Sequence, residues 1–139
     1  MKAKKPTTRY QTAMLVDDNE IDNLINQKML EGTNFAERIY VYTSGKSALE
    51  FLKNLQRDKN LDKELIPDIV FLDINMPLMD GFQFLSEFEE LDVQITQKSK
   101  IVMLTTSINP SDRERSDQSD FVLTFINKPL TQEYLDGIK

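Results

Sequence analysis

The 139-residue chain contains no cysteine and no histidine. Without cysteine there can be no disulfide, no thiol catalysis and no thiolate metal site. Without histidine the commonest general base is missing too. Glycine is scarce, with four in the whole sequence, and no glycine-rich phosphate loop can be assembled from them. An excess of basic charge is also lacking: the formal net charge is −6, which argues against a sequence-independent grip on nucleic acid, because that grip depends on Lys and Arg neutralising phosphates. No apolar run approaches the length of a membrane span. The charged start Met1-Lys2-Ala3-Lys4-Lys5-Pro6 is followed by no apolar stretch of the kind that marks a secretory signal. The expectations are a cytoplasmic location and neither a membrane nor a nucleic-acid partner.

What is present is an ordinary soluble composition, 40% apolar and 29% charged, in a length that suits one domain. Lys2, Lys4, Lys5 and Arg9 form a basic head, read as a solvated tail over residues 1–11 ahead of a single folded domain from 12 to 139. Within that domain short apolar runs alternate with segments of helical period, the pattern of βαβ units and a parallel sheet. Strands are expected near 12–16, 38–43, 68–72, 100–105 and 121–126, and helices near 20–31, 45–57, 81–91, 110–118 and 131–138. The first helix carries a stripe of Ile21, Leu24, Ile25 and Met29. The second carries Ala48, Leu49, Leu52 and Leu55. Ile69 to Leu72 and Ile101 to Leu104 lack polar alternation, as central strands covered on both faces do. Right-handed crossovers then lead to a doubly wound α/β fold, a flavodoxin-like three-layer sandwich with five parallel strands in the order 2-1-3-4-5. The charged stretch from Arg57 to Glu64 reads as a helix extension or surface loop.

The chemistry sits where the apolar runs end. Asp17 and Asp18 follow the first, Asp73 follows the third and Lys128 follows the fifth. The carboxyl ends of parallel strands line one crevice, so these residues converge although they are distant in sequence. Two like charges about 4 Å apart repel by roughly 4 kcal/mol at an effective dielectric of about 20, so three carboxylates in one pocket call for a cation. Lys128 supplies part of the neutralisation and a divalent ion the rest. Hard oxygen donors, with neither imidazole nor thiolate available, favour Mg²⁺, with Mn²⁺ or Ca²⁺ behind it, over zinc. Taken alone, Asp17-Asp18 also suits a helix cap, and Lys128-Pro129 a strand-to-helix turn.

Four segments together are more specific: Val16-Asp17-Asp18-Asn19, Leu72-Asp73-Ile74-Asn75-Met76-Pro77-Leu78-Met79-Asp80-Gly81, Thr105, and Lys128-Pro129. In order and spacing the chain resembles the CheY-like receiver domain of bacterial two-component response regulators, from about Thr12 to its end. The resemblance implies that Asp73 accepts a phosphoryl group from a histidine kinase or histidine phosphotransfer protein. It also implies that Asp18, Asp73 and the Asn75 carbonyl ligate Mg²⁺ directly, with Asp17 acting through water. Thr105 would hydrogen-bond a phosphoryl oxygen, Lys128 would pair with that group or with Asp73, and the Lys128-Pro129 bond would be cis. Phe125 occupies the position of the aromatic that turns inward on activation, coupled to Thr105, with partners docking on the fourth helix, fifth strand and fifth helix. Asn75 and Ser107 take the variable positions that flank the site in the family. Thr106 stands where the family usually has a small residue, and Gln118-Ser119-Asp120-Phe121 lacks the frequent Gly-Ala pair. Two competing readings are a receiver-like interaction module that works without phosphorylation and a haloacid-dehalogenase-type phosphatase. The latter needs a second Asp two residues after the nucleophile, where this chain has Asn75.

Overall fold

Runs rich in Val, Ile, Leu and Phe form five strands: β1 (Tyr10–Val16), β2 (Ala36–Tyr42), β3 (Ile69–Asp73), β4 (Lys100–Thr105) and β5 (Val122–Asn127). All pair in parallel, in the order β2-β1-β3-β4-β5. The helices between and after them are α1 (Glu20–Gly32), α2 (Gly45–Arg57), α3 (Gly81–Phe88), α4 (Val93–Thr96), α5 (Pro110–Asp117) and α6 (Gln132–Asp136), and a single 3₁₀ turn spans Lys63–Leu65. This architecture is that of a computed structural model that describes residues 7–106 and 109–138. Lys2, Lys4 and Lys5 of the basic head, Ser107 and Lys139 lie outside the described residues. No helix among the described residues is long and apolar enough to cross a membrane.

The absence of polar alternation in the central strands has a direct cause. Met14 and Val16 of β1, Val70 and Leu72 of β3, and Ile101 and Met103 of β4 point into one core with Leu49, Leu52, Phe84 and Phe88. Their neighbours Ala13, Leu15, Ile69, Phe71, Val102 and Leu104 point into the other, with Leu30, Phe35, Leu130 and Leu135. Successive residues of a strand face opposite sides, so a strand buried on both faces must be apolar throughout.

Several boundaries differ from the sequence reading. β1 begins at Tyr10, within the expected tail, because the Tyr10 amide donates to the Phe35 carbonyl at 2.9 Å and Tyr10 pairs with Ala36. Arg9 is tied down too, its Nη1 donating to the Leu135 carbonyl at 2.6 Å. The third helix stops at Phe88 rather than 91, and the four-residue α4 follows it, too short to show a period. The last helix is confined to Gln132–Asp136. The helices expected fourth and fifth are therefore α5 and α6.

The larger correction concerns α1. Ile21, Leu24 and Ile25 of the expected core stripe are 70%, 54% and 46% exposed, and only Met29 packs against the core. The buried face is Asn23, Asn26 and Leu30. Both asparagines serve backbone groups in the interior, where an unpaired amide or carbonyl is costly. Asn23 Nδ2 donates to the carbonyls of Asp17 (2.8 Å) and Tyr42 (3.3 Å), and Asn26 Oδ1 accepts from the Leu130 amide at 3.0 Å. Hydrogen-bond demand at the strand ends, not apolar period, orients this helix.

Candidate functional site

The sheet register brings the carboxyl ends together: Val16 pairs with Leu72, Asp73 with Leu104, and Thr105 with Asn127. Immediately beyond β1, Asp17 is buried and Asp18 exposed. Neither caps α1. The cap is Asn19, whose side chain accepts from the amides of Ile21 and Asp22, both at 3.0 Å. Asp17 Oδ1 in turn accepts from the Asn19 amide at 2.9 Å. With the cap supplied by Asn19, the two aspartates are available to the crevice. Asp17, Asp18 and Asp73 each offer a carboxylate oxygen, and these oxygens lie within 4.8 Å of one another.

Asp73, the last residue of β3, is buried. The loop beyond it folds back: the Ile74 amide donates to the Leu104 carbonyl (2.9 Å), and the Gly81 amide donates to the Ile74 carbonyl (2.8 Å). Gly81 opens α3 because nothing larger fits there. A Cβ would lie 2.8 Å from both the Asp73 carbonyl oxygen and Ile74 Cα. Asp80 and Gln83 close the start of the helix as a reciprocal capping box. Asn75 is exposed, and its amide donates to the Asp73 carboxylate.

Lys128 reaches the acids from the end of β5. Its amide donates to the Thr105 carbonyl at 2.6 Å, and its bond to Pro129 is cis. The ammonium, only 7% exposed with the rest of its side chain, lies 2.7 Å from Asp17 Oδ2, 2.8 Å from Asp22 Oδ2 and 3.4 Å from Asp73 Oδ1. Burial alone would lower the pKa of Lys128, but the hydrogen bonds to Asp17 and Asp22 and the charges of Asp73 and Asp17 raise it. Asp73 moves the other way: burial, then the Asp17 charge, push its carboxyl up to about 6, against the opposing effects of Lys128 and the Asn75 amide. The pocket thus holds a permanent cation beside an acid that ionises with difficulty.

Thr105 is fully buried at the end of β4 and Thr106 is exposed. Phe125, half-buried, pairs in register with Met103 and packs against the core on the side of α2 and α3. Among the described residues, Asp17, Asp18, Asp73, Asn75, Thr105, Phe125 and Lys128 therefore lie at or just behind one end of the sheet. Asp22 was missed. Its one signal was its place as an acid in the first turn of the helix that follows Asp17-Asp18.

Fold and site together define a class. The chain belongs to the response regulator receiver domain family, which matches residues 13–138. It is 31% identical over 137 residues to the sensor histidine kinase CheAY of Helicobacter pylori, covering 99% of this chain and 15% of that protein's length. It is 30% identical to the probable methanogenesis regulatory protein FilR2 of Methanothrix harundinacea, covering 88% of this chain and 74% of the relative. Among solved structures, a two-component response regulator from Cytophaga hutchinsonii superposes with a TM-score of 0.83 at 29% identity, covering 94% of each chain.

Proposed function

We propose that this chain is the phosphoacceptor of a two-component phosphorelay and that Asp73 is the acceptor. The observation that carries the reading is the buried acid at the end of β3, held among Asp17, Asp18 and the Lys128 ammonium. A carboxylate oxygen of Asp73 attacks the phosphorus of a phosphohistidine on a histidine kinase or histidine phosphotransfer protein. The P–N bond breaks as the P–O bond forms, and the imidazole of the donor, protonated on its other ring nitrogen, takes the electron pair and leaves neutral. At neutral pH Asp73, with a pKa of about 6, is mostly ionised and so is a competent nucleophile. Lys128 neutralises the incoming charge, and Thr105 donates its hydroxyl to a phosphoryl oxygen.

Three clustered carboxylates, one of them exposed to solvent, suit a hard divalent ion in the presence of a single lysine. Asp17, Asp18, Asp73 and the Asn75 carbonyl would hold Mg²⁺. When bound, that ion supplies charge neutralisation for the acceptor and the transferred group. The activity is self-phosphorylation and autodephosphorylation, not turnover of a diffusible substrate, in the cytoplasm and without nucleic acid or membrane. Phosphate on Asp73 draws Thr105 inward, Phe125 fills the space vacated, and the surface of α5, β5 and α6 changes for a protein partner. An interaction module that works without phosphorylation would have no use for this acid cluster.

The test is intact-mass measurement after incubation with acetyl phosphate and Mg²⁺. Wild type gains one phosphate and Asp73→Asn gains none. No adduct on wild type, or an undiminished adduct on the variant, overturns the reading.

A further inference from the structure

Lys128 has three N–H donors, and the two short contacts they make go to Asp17 at 2.7 Å and Asp22 at 2.8 Å, leaving Asp73 at 3.4 Å. Asp17 is held in place. Its side chain is 2% exposed, and its other oxygen accepts from the Asn19 amide. Asp22 is the looser partner, 29% exposed on the first turn of α1, where water can replace the ammonium. An acid in the first turn of a helix is favourable in its own right. That alone does not account for a hydrogen bond to a buried ammonium 106 residues away, on a cation that already has Asp17 as partner.

We propose that Asp22 is a positioning residue that holds Lys128 back from the acceptor, so that loading Asp73 requires the ammonium to leave Asp22 for the phosphoryl group. The inference rests on the reading of Asp73 as phosphoacceptor and adds a residue that sets how readily the loaded state forms. Asp22 favours the unloaded state because its contact exists only there, and an interaction made in one state alone shifts the balance by its whole strength. Lys128 stays with Asp17 in both states, so Asp17 orients the lysine without opposing the transfer.

The experiment measures beryllofluoride binding in saturating Mg²⁺ to wild type, Asp22→Asn and Asp22→Glu, and repeats the Asp22→Asn comparison in a Lys128→Met background. Asp22→Asn should bind about fivefold tighter than wild type, a modest coupling for residues of one ion-pair network. Asp22→Glu, which keeps the charge, should stay near wild type. With Met at position 128 the gain from Asp22→Asn should fall below about twofold, since no ammonium remains to be released. NMR of the Lys128 ammonium gives a second readout: loading should shift it strongly in wild type and much less in Asp22→Asn. Equal or weaker binding by Asp22→Asn overturns the inference, as does a full gain that persists without Lys128 or an ammonium signal indifferent to Asp22. Should wild type bind no beryllofluoride and take no phosphate from acetyl phosphate, the acceptor reading itself fails and the inference fails with it. Normal loading of wild type alongside an indifferent Asp22→Asn overturns the inference alone.

Discussion

Lys128 Nζ stands 3.4 Å from Asp73 Oδ1, and the Asp73 carboxyl nonetheless has its pKa pushed up to about 6. Burial and the nearby Asp17 charge outweigh the lysine. In the unfolded chain Asp73 ionises near 3.8, so between these two values the folded protein holds more protons than the unfolded one. The favourable contribution is therefore complete below about pH 4 and is lost as pH rises to about 6, beyond which it is flat. Asp73→Asn removes the cost of ionisation. In metal-free buffer its stability advantage over wild type should grow by roughly 2 to 3 kcal/mol from about pH 4 to about pH 7. Urea unfolding across that range measures it, and a gap that stays constant or narrows would contradict the assignment.

Divalent ion should act on the same strain. Mg²⁺ relieves carboxylate repulsion in the folded state only, so at about a hundred times its Kd it should add about 2.7 kcal/mol. Thermal scans in EDTA and in millimolar Mg²⁺ read this as a raised midpoint. Asp18→Asn should blunt the rise, because it removes the exposed member of the carboxylate cluster.

Gly81→Ala should cost about 2 kcal/mol and slow phosphate uptake, since the added methyl meets two backbone atoms at 2.8 Å and can be relieved only by moving the Asp73 loop. Gly32→Ala is the control. No atom lies within 4 Å of its Cβ position and its φ is not positive, so at this last position of α1 alanine should be neutral or favoured by up to about 1 kcal/mol. Paired unfolding curves that rank the two substitutions the other way would refute the packing argument.

Coupling from the site to the surface is read at Phe125. With beryllofluoride bound, the ring protons of Phe125 should change environment while the central strands stay fixed. Thr105→Ala should still load but leave the ring where it was. A ring indifferent to loading in wild type would make Phe125 plain packing and send the signal elsewhere.

The two faces of α1 should respond oppositely to substitution. Leu24→Gln, on the exposed face, should change stability by less than about 0.5 kcal/mol. Leu30→Ala, fully buried, should cost about 2 to 5 kcal/mol. Denaturant midpoints for the pair distinguish the observed orientation from the one suggested by apolar period.

Strand order and the end of the sheet that carries the chemistry were legible in the sequence, because a parallel strand buried on both faces must be apolar along its length and can place a charge only where it ends. Asp17 and Asp73 stand at such ends and Lys128 at the end of the partly exposed edge strand β5, and their convergence follows from the direction common to all strands. The orientation of α1 was not legible. Ile21, Leu24 and Ile25 have a helical period as regular as that of any core stripe, but what turns the helix is the need of the Asp17 carbonyl and the Leu130 amide for the Asn23 and Asn26 side chains. Those needs arise only once the strands have been brought side by side. The same holds for the link from Asp22 to Lys128. Local pattern determines which residues can be buried, whereas the partners of a buried polar group are chosen by whichever elements the assembled chain lays against it.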